Sequence, residues 1–569
     1  KGLFKIKSAL DEFARVFDIS FADAKRITAC FDDKGNAIKD EAANWEKQYP
    51  ELFETARVFA DSKRFRNSSK HPSAVIVTSE PIGKLIPLQS VKDSKTGQRV
   101  LTTEWDGDEL ESIGFTKFDI LRVSVLNVIA DTVEMVNGSN PDSLPDAHAI
   151  FEWVPLDDPK TIALADRADL VGVFQLWKSD PIGIFQAITV KGFEDFYLIT
   201  TVIRPGIDRS DFIKRHENPG RVNYVTPQLE PILSETYGMM LYQEQIMDVV
   251  HKLAGFTLAE SDNIRKIIAK TSNMGDTLSL DPYKIKFIDG CVANGVSGRS
   301  AEEIWSQILA MQSYSFNKSH AVSYSLISWV TAYLKAHYPL EFLCASLNDK
   351  NEARFIDELK KYNLEVLPPD VQVSSSTHKI EDGALRIGLS CIKGVGKSGL
   401  KVQELQPFAD YNDFISRCKL ASDVMDVLER LGALDSLQRY DLLGSSEDGD
   451  RDTTKRLNSE RQLLGYYVSG DPLQNYEAEL QGCVTNSNVG RKKIMLGGVV
   501  TKLKTHNARN GQMAFLAVQT TGDEFEVAIW PEDWKKVKGI VKEDKIIKAV
   551  GEKTERGNYS IGQIQVLSK

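Results

Sequence analysis

The chain has 569 residues, 42% hydrophobic and 26% charged, with a formal net charge of −10. Such a length supports three to five domains with their own cores, and the composition excludes a disordered or low-complexity chain. No run of eighteen apolar residues occurs and the first thirty positions lack an export pattern, so neither a membrane span nor secretion is expected.

Ala9, Phe13 and Val16 recur at helical spacing, and Leu52, Ala56 and Phe59 repeat the pattern, predicting helices joined by loops over the first 75 residues. At Ala74-Val75-Ile76-Val77 the sequence turns β-branched. After a loop holding Lys95-Thr96-Gly97, Val100-Leu101-Thr102-Thr103 and Phe115-Thr116-Lys117-Phe118-Asp119 read as further pieces of a small sheet. Between them Asp106-Gly107-Asp108 places two carboxylates two residues apart, but the glycine favours a solvated turn. Helical patterns then dominate from about 121 to 347, broken at Pro155, at Arg204-Pro205-Gly206 and near Pro282. Pro368-Pro369 marks another break, and polar, unpatterned 444–450 reads as an exposed linker. From Ile494 alternation returns in Met513-Ala514-Phe515-Leu516-Ala517-Val518 and Phe525-Glu526-Val527-Ala528-Ile529-Trp530. With Asn510-Gly511 and Thr521-Gly522 as turns, the spacing is that of a small β-barrel. This last stretch is also basic: residues 490–569 hold 15 Lys and Arg against 9 Asp and Glu, a net of +6, which leaves −16 on the rest. Cys30, Cys291, Cys344, Cys391, Cys418 and Cys483 are too scattered for zinc pairs or a disulfide framework and read as reduced thiols.

Several residues could carry chemistry. Asp119 ends a strand-like run and shares a face with Lys117; alone it reads as a strand-end ion pair or as one ligand of a hard cation beside a triphosphate. Arg204, Arg265, Lys266 with Lys270 a turn later, and Lys318 are each solvated cations when taken singly. Together they could neutralise phosphates from several elements. In Ile392-Lys393-Gly394-Val395-Gly396-Lys397 two glycines let backbone amides approach a phosphate, with Lys393 and Lys397 adding charge.

In order along the chain stand Gly114-Phe115-Thr116-Lys117-Phe118-Asp119-Ile120-Leu121, Val173-Phe174-Gln175-Leu176, Arg204-Pro205-Gly206, and Tyr237-Gly238 with Leu241-Tyr242-Gln243-Glu244-Gln245. Ser261-Asp262-Asn263-Ile264-Arg265-Lys266, Phe316-Asn317-Lys318-Ser319-His320 and Leu334-Lys335-Ala336-His337-Tyr338-Pro339 come after them. This series resembles the nucleotide-handling core of the C family of bacterial replicative DNA polymerases. The resemblance implies a multidomain α+β protein: a helical thumb at 1–75, the second half of a nucleotidyltransferase-like palm at 76–125 and helical fingers at 126–345. A tandem helix-hairpin-helix and clamp-binding-type region at 346–484 and an OB-fold barrel at 485–569 would complete it.

The activity implied by the resemblance is template-directed addition of dNTP to a primer 3′-hydroxyl. Two Mg²⁺ ions would be held by Asp119 and by an aspartate pair that in the family lies upstream of everything here. The chain, starting at Lys1, is therefore expected to be a carboxy-terminal part that needs an N-terminal polymerase fragment, separate or joined by splicing; a noncatalytic DNA-binding accessory protein that kept the scaffold is the alternative. Arg204, Arg265, Lys266, Lys318 and Ser319 would lie near the dNTP. His320 would either donate to a phosphate or serve as a structural hydrogen-bonder. Arg66 and His71 would approach the primer end, and Lys393, Gly394, Gly396 and Lys397, with a second half at Val427-Leu428-Glu429-Arg430-Leu431-Gly432-Ala433-Leu434-Asp435, would hold duplex DNA. Of Phe515, Trp530 and Tyr559 in the barrel, at most one is expected to stack on a base. Gln438-Arg439-Tyr440-Asp441-Leu442-Leu443 stands where a sliding-clamp peptide would be. Trp177 and Ile207 depart from the family's usual Glu and Pro, which suggests a divergent, bacteriophage member acting in bacterial or infected-host cytoplasm.

Overall fold

The computed structural model describes residues 2–568 apart from 33–35, 38–40, 63–64, 68–69, 72, 94–96, 121, 142, 205, 275–279, 312–315, 438–448, 485–492, 509–510, 521–523 and 554–558. The chain divides into two compact units, Lys1–Val123 and Ser124–Lys569.

In the first unit, helices Ile6–Phe13, Phe21–Thr28, Ala42–Gln48 and Pro50–Asp61 close around Ala9, Leu10, Ala14, Leu52, Phe53 and Ala56. Phe13 and Phe59 meet at 4.6 Å between ring centroids. Val16 does not join them, because the helix stops at Phe13 and leaves it 72% exposed. Among the described residues the strands form three separate antiparallel ladders rather than one sheet: Gly2–Leu3 with Phe65–Asn67, Ala74–Ile76 with Lys117–Asp119, and Leu88–Lys92 with Arg99–Thr103. A capping box lies between the last strand of one ladder, Arg99–Thr103, and the strand Lys117–Asp119 of another. Asp106 Oδ1 accepts from the Glu109 amide at 3.1 Å, and Glu109 Oε2 accepts from the Asp106 amide at 2.8 Å. The expected turn is thus the start of a helix, Gly107–Ser112, inserted between Thr103 and Lys117.

The second unit is built on helix Lys318–His337, started by Asn317, whose Oδ1 accepts from the His320 amide, and continued at once by Pro339–Asp349 with proline in its first turn. Its larger core draws on residues between Val128 and Tyr466 and takes in helices on both sides of position 345 as well as the three-stranded sheet of Val366–Leu367, Ala384–Arg386 and Lys379–Glu381. Lys335, fully buried, is paired with Asp169 at 3.0 Å and Glu358 at 2.8 Å. Burial acts on both acids. In Asp169 it is outweighed by a hydrogen bond from Glu358 and the charges of Lys335 and Lys361, which hold that carboxyl low, whereas burial and the neighbouring Asp169 push Glu358 up. A second core, with Leu253, Phe287 and Trp305, lies among helices Gln243–Ala254, Asp281–Ala293 and Gly298–Met311.

The C-terminal strands close into a barrel in the order Lys493–Ala508, Gly511–Gln519, Glu524–Ile529, Tyr559–Val566, Ile546–Lys553. The sixteen-residue first strand pairs through Val499 with Ile546–Lys553 and from Val499 onward with Gly511–Gln519. At Gly498 a Cβ would stand 2.1 Å from the Gln519 carbonyl oxygen, so this close approach of backbones requires glycine.

Candidate functional site

Asp119 pairs in register with Ala74, and its half-exposed carboxylate lies 3.2 Å from Lys117 Nζ and 3.9 Å from His71 Nδ1. His71 Nδ1 accepts from the Ala74 amide at 2.8 Å and the Ser73 amide at 3.2 Å, which places the imidazole proton on Nε2. The Lys117 stem runs alongside Gly107, where a Cβ would meet Lys117 Cδ at 3.3 Å. The opposite face of the ladder carries Val75, Val77, Phe118 and Ile120, all exposed. Magnesium takes oxygen ligands and is often held by one or two carboxylates with substrate phosphates and water. Asp119 fits as one such ligand; among the described residues no group of three or more His, Cys, Asp or Glu forms a metal cluster. Asp106 is occupied as a helix cap. Arg66 lies on a described strand, but its side chain is outside the described residues.

A second constellation lies within the unit Ser124–Lys569. It is organised by a backbone bridge between Tyr242 and Phe316: the Gln243 amide donates to the Phe316 carbonyl at 2.9 Å, and the Phe316 amide donates to the Leu241 carbonyl at 3.1 Å. Each residue of Gln243-Glu244-Gln245 then has its own task. Gln245 Oε1 accepts from the Leu241 and Tyr242 amides and fixes the turn into the helix. Gln243 Oε1 accepts from Arg265 Nη1 at 3.2 Å. Glu244 accepts from Asn317 Nδ2 at 3.1 Å and the Lys318 amide at 3.0 Å. On the far side of the bridge the Arg204 guanidinium lies 3.4 Å from the Phe316 ring centroid, with Nε buried and unpartnered, and burial draws its pKa down. His320 stacks on Tyr324 at 4.2 Å and meets Phe316 edge-on at 5.0 Å. Ser319 Oγ donates to Asn317 Oδ1 at 2.6 Å.

Arg204, Arg265, Lys318, Ser319 and His320 are therefore brought to one framework; Arg265 is also paired with Asp262 at 2.9 Å, and Lys266, largely exposed, turns to the same carboxylate at 2.7 Å. The hydrogen bonds of Lys266 and Arg265 lower the Asp262 pKa. The Lys270 side chain lies outside the described residues.

Sequence reasoning missed Glu235. Its Oε2 accepts from Lys318 Nζ at 2.6 Å and its Oε1 from the Tyr197 hydroxyl at 2.9 Å. The only signal was position, two residues before the Tyr237-Gly238 pair. Burial, then the bond to Glu235, raises the Tyr197 pKa and keeps it a donor. The two departures are packing residues: Trp177 stacks on Phe355 at 5.7 Å, and Ile207 is buried.

In the loop before helix Lys397–Leu405, Gly394 and Gly396 both have positive φ, as amides turned toward a phosphate would require. Gly394 sits against Val427 on helix Ser422–Arg430. The Lys393 amide is already spent on the Leu463 carbonyl at 3.0 Å, so Lys393 offers its side chain alone. On the barrel, Phe515 and Trp530 are 45% and 49% exposed, whereas Tyr559 is buried. Lys504 stands opposite Phe515 in the strand register. Residues 438–443, where the clamp peptide was expected, lie outside the described residues, as do 444–448 of the expected linker.

Residues 125–295 match the family described as the bacterial DNA polymerase III alpha subunit finger domain, residues 2–122 the bacterial DNA polymerase III alpha NTPase domain, and residues 363–441 a helix-hairpin-helix motif. Among curated relatives, DNA polymerase III subunit alpha of Aquifex aeolicus is 32% identical over 532 residues, covering 85% of this chain and 44% of the relative. The Bacillus subtilis protein of the same name is 28% identical over 615 residues, covering 97% of this chain and 54% of the relative, and that of Thermus aquaticus 28% over 619 residues, with 95% and 49% covered. The chain thus spans about half the length of the relatives it matches.

Proposed function

The chain belongs to the C family of bacterial replicative DNA polymerases, the family of the DNA polymerase III alpha subunit, and from that premise we propose that it forms the dNTP-binding and DNA-gripping part of a DNA-directed DNA polymerase. The observation that carries this reading is the assembly of Arg204, Arg265, Lys318 and His320 around the Tyr242–Phe316 bridge. Cations arriving from separate elements on a shared rigid frame suit a triphosphate, whose transfer depends on positioning and charge neutralisation.

In this proposal Arg204, Arg265 and Lys318 take up phosphate charge, Ser319 and His320 offer further donors, and Lys266 adds field from the rim. Asp119 would hold the catalytic magnesium together with carboxylates from residues outside 1–569; the ion, when bound, would neutralise phosphate charge and activate the primer hydroxyl. His71, with its proton on Nε2, would face the primer end. The exposed apolar face of the Ala74–Ile76 and Lys117–Asp119 ladder supports a palm completed from elsewhere, since two strands alone make a weak sheet. Thumb, palm and fingers over 1–75, 76–125 and 126–345 belong to this reading, as does an OB-fold at 485–569. The barrel supports the latter with its closed strand order and the helix Pro531–Val537 between Glu524–Ile529 and Ile546–Lys553, its third and fourth strands in chain order. Phe515, Trp530 and Lys504 would meet single-stranded template there, and Gly394, Gly396 and Lys397 the duplex.

Primer extension tests the proposal. Mixed with a polypeptide that carries the aspartate pair, the chain should extend a primer with magnesium, and Asp119→Asn should cut the rate by at least about a hundredfold while primer-template affinity stays within about twofold. Undiminished extension by Asp119→Asn removes Asp119 from the chemistry. DNA binding without extension in every mixture favours the noncatalytic accessory protein.

A further inference from the structure

The Lys318 ammonium is paired with a carboxylate that has a second anchor of its own. Glu235 is anchored from behind: one carboxylate oxygen takes the hydroxyl of buried Tyr197, and the other takes Lys318. Glu235 itself lies in the short 3-10 turn Ser234–Thr236, closed by Tyr237 in the left-handed region. Below it, the Thr236 hydroxyl receives a hydrogen bond from Gln245 Nε2 at 2.8 Å. The turn is therefore tied to the same glutamine that shapes the Tyr242–Phe316 bridge. Lys318 is held at its backbone by Glu244 and reaches Glu235 through its half-exposed four-carbon stem, whose ammonium also lies 6.0 Å from the Tyr242 ring.

We infer that Glu235 is a resident competitor for Lys318: a rigid carboxylate that holds the ammonium in place and yields it to a phosphate of the incoming polyphosphate. The inference rests on the assignment of Lys318 to the dNTP site. A phosphate group carries more charge than a carboxylate, and the half-exposed pair has only modest strength, so a triphosphate can win the ammonium. Because Tyr197 keeps Glu235 from moving with it, the freed carboxylate stays near the entering anion and opposes it. Lys318 is thereby pre-oriented by the same group that makes weakly charged anions poor competitors. Glu235 is a positioning residue, acting through Lys318 rather than on the nucleotide.

Acylation of Lys318 by acetic anhydride, with mass spectrometry of the full chain as the readout, separates this inference from the reading beneath it. Inorganic tripolyphosphate and dTTP should each protect Lys318. In Glu235→Gln, Lys318 should react several-fold faster without anion, and half-protection should need about fivefold less tripolyphosphate. Glu235→Asp, too short to span the pair yet still charged, should also speed acylation but shift protection less. Equal or higher tripolyphosphate demand in Glu235→Gln overturns the competitor role while leaving Lys318 in the dNTP site. Failure of both anions to protect Lys318 in any variant removes Lys318 from that site, and the inference with it.

Discussion

His378 shows what burial does to a single side chain. Its ring is 2% exposed, Nδ1 accepts from the Gly388 amide at 3.3 Å, Nε2 has no partner, and burial lowers its pKa from 6.5 to about 4. The unfolded chain takes up the proton near pH 6.5, but the folded chain declines it until about pH 4. The stability linked to this residue is therefore complete above 6.5 and falls as pH drops through that window, by about 3 kcal/mol in all. Urea midpoints measured from pH 7 to pH 4 should fall less steeply in His378→Leu than in the native chain; equal slopes would show that His378 carries no such linkage. The same contrast between partnered and unpartnered groups runs through the candidate site. Residue types there were legible because Arg204, Arg265 and Lys318 stand in recognisable blocks, whereas Glu235 meets Lys318, 83 positions away, and Tyr197, 38 positions away, only through folding.

Helix Lys318–His337 shows how an element can depend on a charge. It buries ten residues, and one of them is Lys335, satisfied by the Asp169 backbone carbonyl, the Asp169 carboxylate and Glu358. Removing one member of a buried ion network leaves the others uncompensated, so Lys335→Met should cost about 3–5 kcal/mol, read as a lowered thermal midpoint. A loss below about 1 kcal/mol would mean that packing alone holds the helix. Periodicity identified this helix well but not its buried lysine, because a Lys in Leu334-Lys335-Ala336-His337 looks solvated until Asp169 and Glu358 close on it. Strand pieces were equally legible, yet their pairing was not: Val100 and Phe118 both look like members of one sheet, but they lie in different ladders, with the 3-10 turn Ile82–Lys84 and the capped helix Gly107–Ser112 between the strands. Burial decided the barrel aromatics. Alternation alone could not say that Phe515 and Trp530 face outward while Tyr559 packs near Phe525.

The molecule as a whole is acidic but ends in a basic barrel, so its affinity for nucleic acid should depend on salt in a regional way. Lys502 and Lys504 are exposed on the strand that borders Phe515. Replacing both with alanine should flatten the salt dependence of single-stranded DNA binding by about 1.4 in logarithmic slope and leave that of duplex binding unchanged. An equal change in both would take the barrel out of single-strand recognition. The order of the matched modules was readable from the blocks of motif, but the Pro368-Pro369 break marks no edge of the core. The extent of shared core was not readable, since Val128 and Tyr466 reveal nothing in sequence of the apolar cluster they have in common. That cluster limits how the chain can be recombined. A chimera that exchanged 346–484 for a relative's segment would meet Leu347, Phe355, Val402 and Tyr466 as mismatched halves of one interior, and the barrel, though lined by its own Leu496, Leu516 and Ile547, would lose the seam in which Leu473 packs with Val499 and Ile546.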